Sequence, residues 1–197
     1  MTKIDIPAVI LAGGKSSRMG KDKALLPFEK YNSLCEYQYN KLQELFSKVY
    51  ISTKEDKFDF VKDKNLLFFD TSKISSPMVA LNSILESIKA QKFFLITVDT
   101  PLVSLKTIQE LLSREKKSNK KVIIPKDQSG KIHNLCGVFN TDIKDIVKES
   151  LEKDIHRISY LLEKAGYETI SFDTMDEFLN LNTQEEYKKA VELLRLK

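Results

Sequence analysis

The sequence predicts an α/β protein: a mainly parallel, twisted sheet with helices on both faces, in a three-layer Rossmann-like arrangement. Two observations carry this. Short apolar runs stopped by breakers alternate along the chain with segments whose apolar residues recur at helical spacing. The first of these runs is almost wholly apolar, as expected for a strand covered on both faces.

Ile6–Ala12 is that run, and it ends in Gly13-Gly14. Leu34, Tyr37, Leu42 and Leu45 then fall on one side of a helix, and Val49–Ile51 and Leu66–Phe69 are the next strand candidates. Pro77 opens a helix with Met78, Leu81, Leu85 and Ile88 on one stripe. Phe93–Val98 reads as a buried strand stopped by Asp99-Thr100-Pro101, because the residue before a proline is driven away from helix. Leu105, Ile108, Leu111 and Leu112 define the following helix. Lys121–Ile124 and Leu135–Phe139 read as strands with Gly130 at the turn between them. Ile155, Ile158, Leu161 and Leu162 mark a helix closed by Gly166, and Tyr167–Phe172 a late strand. Thr183-Gln184-Glu185-Glu186 is a capping box for a last helix with Tyr187, Ala190, Val191 and Leu194 inward.

There is no repeat and no low-complexity linker, so the 197 residues are expected to form one domain, 1–197. Apolar residues make up 42% and charged residues 30%, ordinary values that exclude collagen-like, disordered and coiled-coil classes. The net charge of +4 is a mild excess spread along the chain. Lys-rich stretches such as Arg114 to Lys121 read as solvated helix ends rather than a nucleic-acid surface. Cys35 and Cys136 stand far apart with no CxxC spacing, which excludes a disulfide framework or zinc site and fits a cytoplasmic protein. No apolar stretch approaches the roughly 20 residues that span a bilayer, and the N-terminus does not read as a signal peptide.

In such a fold ligands collect at the carboxyl ends of the strands, where strand order reverses. Chemistry is therefore expected in the loops after Ala12, Ile51, Phe69 and Val98. Three of the chain's six glycines, Gly13, Gly14 and Gly20, fall in the first of these loops, among Lys15, Arg18, Lys21 and Lys23. Glycine lets backbone N–H groups close on phosphate oxygens, and the cations supply charge for a polyphosphate. Neither GxxxxGK[ST] nor GxGxxG is present, which excludes the P-loop NTPases and the dinucleotide fingerprint.

Leu11-Ala12-Gly13-Gly14, Ser17-Arg18-Met19-Gly20 and Asp22-Lys23-Ala24-Leu25-Leu26-Pro27 resemble the signature of nucleotidyltransferases, above all the molybdenum cofactor guanylyltransferase family (MobA-type). Asp99-Thr100-Pro101 resembles that family's Asp-x-Pro, and Asn180-Leu181-Asn182-Thr183-Gln184-Glu185-Glu186 its C-terminal motif. The motifs lie near both ends, so the resemblance covers essentially the whole chain.

The resemblance implies transfer of GMP from GTP to the terminal phosphate of molybdenum-molybdopterin, with release of pyrophosphate. The acceptor is already an oxyanion, so catalysis needs positioning and charge neutralisation rather than a general base. Asp99 would hold Mg²⁺, with Lys23 and Arg18 taking up charge on the departing pyrophosphate. Leu11, Ala12, Gly13, Gly14, Lys23, Ser52, Asp70 and Asp99 would contact the nucleotide. Asn180 and Asn182, two apart and on one face of an extended segment, would serve the acceptor. The resemblance also implies transient contacts with molybdenum-cofactor assembly proteins and molybdoenzymes, and no nucleic-acid or membrane partner.

Structural roles compete for several of these residues: a helix cap for Asp99, a turn for Asp70, turns and caps for the two asparagines. His133 and His156 are isolated in sequence and read as structural or surface residues; Cys136 reads as core. The chain departs from the family at Ser76-Pro77-Met78-Val79-Ala80, where relatives have Gly-Pro-Leu-Ala-Gly, and at Ser52, where they often have Asn. Those changes keep two alternatives open: another NTP transferase, including a molybdopterin cytidylyltransferase, and a non-catalytic nucleotide- or pterin-binding accessory protein.

Overall fold

A computed structural model describes residues 3–13, 22–70, 72 and 74–196. The described strands are β1 (Ala8–Leu11), β2 (Val49–Thr53), β3 (Leu67–Phe69), β4 (Lys92–Thr97), β5 (Val122–Lys126), β6 (Gly137–Asn140) and β7 (Tyr167–Ser171). The helices are α1 (Leu34–Gln43), α2 (Pro77–Ser87), α3 (Leu105–Glu115), α4 (Lys144–Glu152), α5 (Ile158–Ala165) and α6 (Gln184–Arg195). The strands form one sheet in the order β3-β2-β1-β4-β6-β5-β7. β3, β2, β1 and β4 run parallel, β6 is antiparallel to both its neighbours, and β7 is parallel to β5. The sheet is thus mixed around a parallel half, and the order reverses between β1 and β4.

Period-two alternation divides the apolar strands between two cores. Ala8 and Ile10 of β1, with Phe94 and Ile96 of β4, face a core built with Leu34 and Leu42 of α1, Ile108 and Leu111 of α3, and Ala190 of α6. Val9, Phe93 and Leu95 face the opposite core, with Met78, Leu81 and Ile84 of α2, Val147 of α4 and Leu161 of α5. Three helices therefore cover each face, which is why these strands are apolar at successive positions.

Four of the six described α-helices have N-termini fixed by their own sequence. Ser33, Ser76, Ser104 and Thr183 each accept a backbone N–H from the residue three further on, and Glu186 completes the capping box that opens α6. Each such cap contributes about 1 kcal/mol. Gly166 ends α5 with φ +78°, a conformation that favours glycine. α4 is not among the helices read from the sequence: it has no side-chain cap and buries only Val147 and Ser150. The helix expected from Ile155 begins at Ile158; in α6 Ala190 is buried, and Tyr187, Val191 and Leu194 pack against the same core while partly exposed. β5 runs on through Pro125 because its pairing with β6 stops at Ile123, so the missing N–H breaks no ladder bond there.

Candidate functional site

Beyond the carboxyl ends of the parallel strands lies a cleft of about 460 Å³. Leu11, Ala12 and Gly13 line it after β1, Ser52 within β2, Asp70 after β3, and Thr97, Val98 and Asp99 at the end of β4. Asp22, Lys23 and Ala24 close one side; Ser75, Ser76, Pro77 and Ala80 at the start of α2 form the other. Three of the four loops expected to carry chemistry contribute a residue; at the fourth position the strand runs on to Thr53, so Ser52 lines the cleft from within β2. Arg18 and Gly14 lie outside the described residues.

Lys23 organises the centre. Its ammonium donates to Asp99 Oδ2 at 3.0 Å and to Asn182 Oδ1 at 2.9 Å, uniting three segments far apart in sequence. The Lys23 and Asp99 side chains are 16% and 22% exposed, enough for a ligand to reach them while solvent screening is reduced. Asp22 sits beside them. Its Oδ1 accepts the Ala24 N–H at 3.0 Å and starts the short 3-10 turn Lys23–Leu25, while Lys57 Nζ donates to its Oδ2 at 2.5 Å. Lys57 gives no signal in the sequence, since nothing in its local pattern reveals that Asp22 lies across from it.

Asp70 is buried at the cleft wall, where its Oδ1 accepts the Ser72 N–H at 3.0 Å, so it makes a turn and faces the cleft at once. Ser52 is 1% exposed, and its hydroxyl makes no hydrogen bond to a described residue. Asn182 joins Lys23, whereas Asn180 does not line the cleft and makes no side-chain hydrogen bond to a described residue.

At Gly13 a Cβ would meet no atom of a described residue closer than 3.8 Å. Packing against the described residues therefore does not require glycine there, and Gly13 lines the cleft. In the altered turn, Ser76 caps α2 while Met78 and Val79 pack into the core, and Ala80 adds a methyl to the cleft wall.

The two histidines, isolated in sequence, have partners in space. His156 Nδ1 lies 2.9 Å from Ser76 Oγ at the cleft rim, and its Nε2 lies 3.0 Å from Asp154 Oδ1. His133 is buried, 2.9 Å from Asp127 Oδ2, with its ring stacked on Phe178. Burial lowers the His133 pKa against the opposing pull of Asp127, which keeps the ring neutral. The Ser129 hydroxyl, with further hydrogen bonds from His133 and two backbone N–H groups, holds Asp127 down at about 2. Burial pushes the Cys136 thiol up to about 12 and raises that of Cys35 as well, so both are unreactive core thiols. No group of three or more His, Cys, Asp or Glu side chains placed to hold a metal occurs among the described residues. No described helix is long and apolar enough to cross a membrane.

Residues 8–166 match the model of the MobA-like NTP transferase domain. The molybdenum cofactor guanylyltransferase of Campylobacter jejuni subsp. doylei is 40% identical over 187 residues, 94% of this chain and 95% of that protein. A Helicobacter pylori protein of the same name is 36% identical, over 97% of this chain and 94% of its own length. Among solved structures, molybdopterin-guanine dinucleotide biosynthesis protein A from Archaeoglobus fulgidus shares the fold. Its TM-score is 0.78 at 17% identity, with 98% of this chain and 100% of that one covered. With Lys23 of its signature joined at the cleft to Asp99 and to Asn182 of its C-terminal motif, the chain belongs to the MobA-like NTP transferase family.

Proposed function

We propose that this protein transfers GMP from GTP to the terminal phosphate of molybdenum-bearing molybdopterin, releasing pyrophosphate. The observation that carries the reading is the Lys23 ammonium between Asp99 and Asn182, in a cleft that Lys23, Asp99 and Gly13 all line. A carboxylate and an amide oxygen are the hard donors that Mg²⁺ takes, and here they already hold a cation, so the residues fit the metal. Mg²⁺ bound to Asp99 would neutralise charge on the phosphates.

The chain's own residues do the remainder. The segment Leu11 to Gly13 that lines the cleft holds the nucleotide, with Ser52 and Asp70 on the cleft wall beside it. Lys23, with Arg18, counters the charge that builds on the departing pyrophosphate. The acceptor phosphate attacks as an oxyanion, so no side chain needs to remove a proton. Asn182, held by Lys23, would serve the acceptor. Cys35 and Cys136, kept as buried thiols, suit a cytoplasmic enzyme.

Asp99→Ala is expected to lower pyrophosphate release at least about 100-fold with GTP and molybdenum-molybdopterin, while leaving cooperative melting intact. Wild-type turnover in that variant would remove Asp99 from the chemistry. Faster release with CTP than with GTP would move the protein to the cytidylyl branch.

A further inference from the structure

We propose that Gln38 and Lys41, on helix α1, are positioning residues that set the Asp99 carboxylate; the inference rests on the reading of Asp99 given above. A parallel strand that stops at a turn leaves carbonyls without ladder partners. In the turn that follows β4 these carbonyls belong to Thr97, Thr100, Pro101 and Val103, which flank Asp99 on both sides. Two side chains of α1 take all four. Gln38 Nε2 donates to the Thr97 carbonyl at 3.3 Å and the Thr100 carbonyl at 3.1 Å. Lys41 Nζ donates to the Pro101 carbonyl at 2.6 Å and the Val103 carbonyl at 3.0 Å. Three residues apart, the two project from one side of the helix.

Packing alone does not account for Gln38. It is 0% exposed and falls on the apolar stripe four residues after Leu34 and four before Leu42, where leucine would fill the same space. Its Oε1 is buried and meets no donor among the described residues, so the amide keeps an unmet acceptor while it presents its donor end. Lys41 brings a full positive charge to the backbone immediately beyond Asp99. The same turn is locked from within, since Thr100 Oγ1 donates to the Thr97 carbonyl at 3.0 Å. It is locked again from the C-terminal segment, where Leu181 donates its N–H to the Asp99 carbonyl at 2.8 Å. Helix α1 thus holds the one turn from which the carboxylate projects towards Lys23, although neither Gln38 nor Lys41 lines the cleft.

Lys41→Met, which keeps an unbranched stem of similar length, is the direct test, with Gln38→Leu beside it and Asp99→Asn as the reference. A misplaced catalytic group loses about 100-fold in rate for about 1 Å of displacement. Lys41→Met is therefore expected to lower kcat about 10- to 100-fold, with the KM for GTP within about threefold. Mn²⁺ titration of the GTP-bound protein, followed by electron paramagnetic resonance, is expected to give about tenfold weaker binding on the same scale of displacement. Lys41→Arg, which restores donors to the two carbonyls, is expected to recover most of both losses.

A folded Lys41→Met protein with wild-type kcat and wild-type Mn²⁺ binding, alongside an inactive Asp99→Asn, would overturn the positioning role and leave Asp99 in place. So would a variant that only melts earlier while its folded fraction turns over normally. Wild-type turnover in Asp99→Asn would instead overturn the reading of Asp99, and this inference with it. Should Gln38→Leu fail to fold, Lys41→Met at its half-buried site decides the question.

Discussion

Leu181 donates its backbone N–H to the Asp99 carbonyl at 2.8 Å, so the C-terminal segment hangs on the same turn that presents the Asp99 carboxylate. The Leu181 side chain is buried in the core shared with α6, which anchors the segment independently of any ligand. Asn182 follows directly, and its amide oxygen meets Lys23 by virtue of that backbone bond.

Asn182 and Lys23 should therefore separate in their effects. Asn182→Ala removes one partially exposed hydrogen bond and leaves Lys23 on Asp99; the expected cost in stability is about 1 kcal/mol or less. Turnover is expected to fall about tenfold, since one oriented donor to the charge remains in place. Lys23→Met strips the cation itself, and pyrophosphate release is expected to fall by at least about 100-fold. Urea midpoints and pyrophosphate assays on the two variants check both statements. Equal losses would mean that Lys23 acts only through its bond to Asn182.

Two glycines provide a contrast between fold and site. Gly137 opens β6 with φ +153°, and a Cβ there would lie 2.1 Å from the Ile123 carbonyl oxygen in the neighbouring strand. Backbone cannot yield as a side chain can, so Gly137→Ala is expected to cost more than about 3 kcal/mol or to prevent folding. At Gly13 the nearest atoms of described residues stand 3.8 Å from where an alanine methyl would sit, an ordinary contact, so Gly13→Ala is expected to melt within a few degrees of the parent. Its deficit should fall on nucleotide binding, read as a raised dissociation constant in a GTP titration. Wild-type GTP affinity in folded Gly13→Ala would show that the backbone there stays clear of the nucleotide.

Much of this cleft was legible in the sequence because its parts are local. A breaker after an apolar run marks the carboxyl end of a strand, and the residues at four such ends, Gly13, Ser52, Asp70 and Asp99, do line one cleft. Caps announce themselves through side chains three residues from their targets, as Thr183 and Glu186 do. The missing pieces are long-range or weakly patterned. Strand order is one: nothing between Lys121 and Phe139 discloses that β6 inserts antiparallel between β4 and β5. α4 hides because it buries little, and Lys57 because its partner Asp22 is set by folding. Gln38 did leave a trace, a lone amide on the apolar stripe of α1, and such an interruption is the mark of a buried polar contact. Asn180 shows the converse, since a motif can place two amides on one face while only Asn182 reaches the ammonium.

The buried pair His133 and Asp127 sets the expected response to acid. Burial lowers the His133 pKa below the ordinary imidazole value of 6.5, with Asp127 opposing the shift in part. Between those two values the unfolded chain binds a proton that the folded chain refuses, so stability falls as pH falls. The contribution is complete above pH 6.5 and is lost as the pH drops through the folded value. Asp127 adds a second, lower window. Its pKa is held at about 2 against 3.8, so its contribution is complete above pH 3.8 and disappears as the pH falls towards 2. Urea midpoints measured from about pH 7.5 down to about pH 3 are thus expected to decline in two stages. His133→Gln removes the first stage while leaving the fold cooperative, at a cost of about 1 kcal/mol at neutral pH for the lost stack on Phe178. If the parent and His133→Gln declined in parallel below pH 6.5, the buried imidazole would carry none of the acid sensitivity, and the carboxylates alone would account for it.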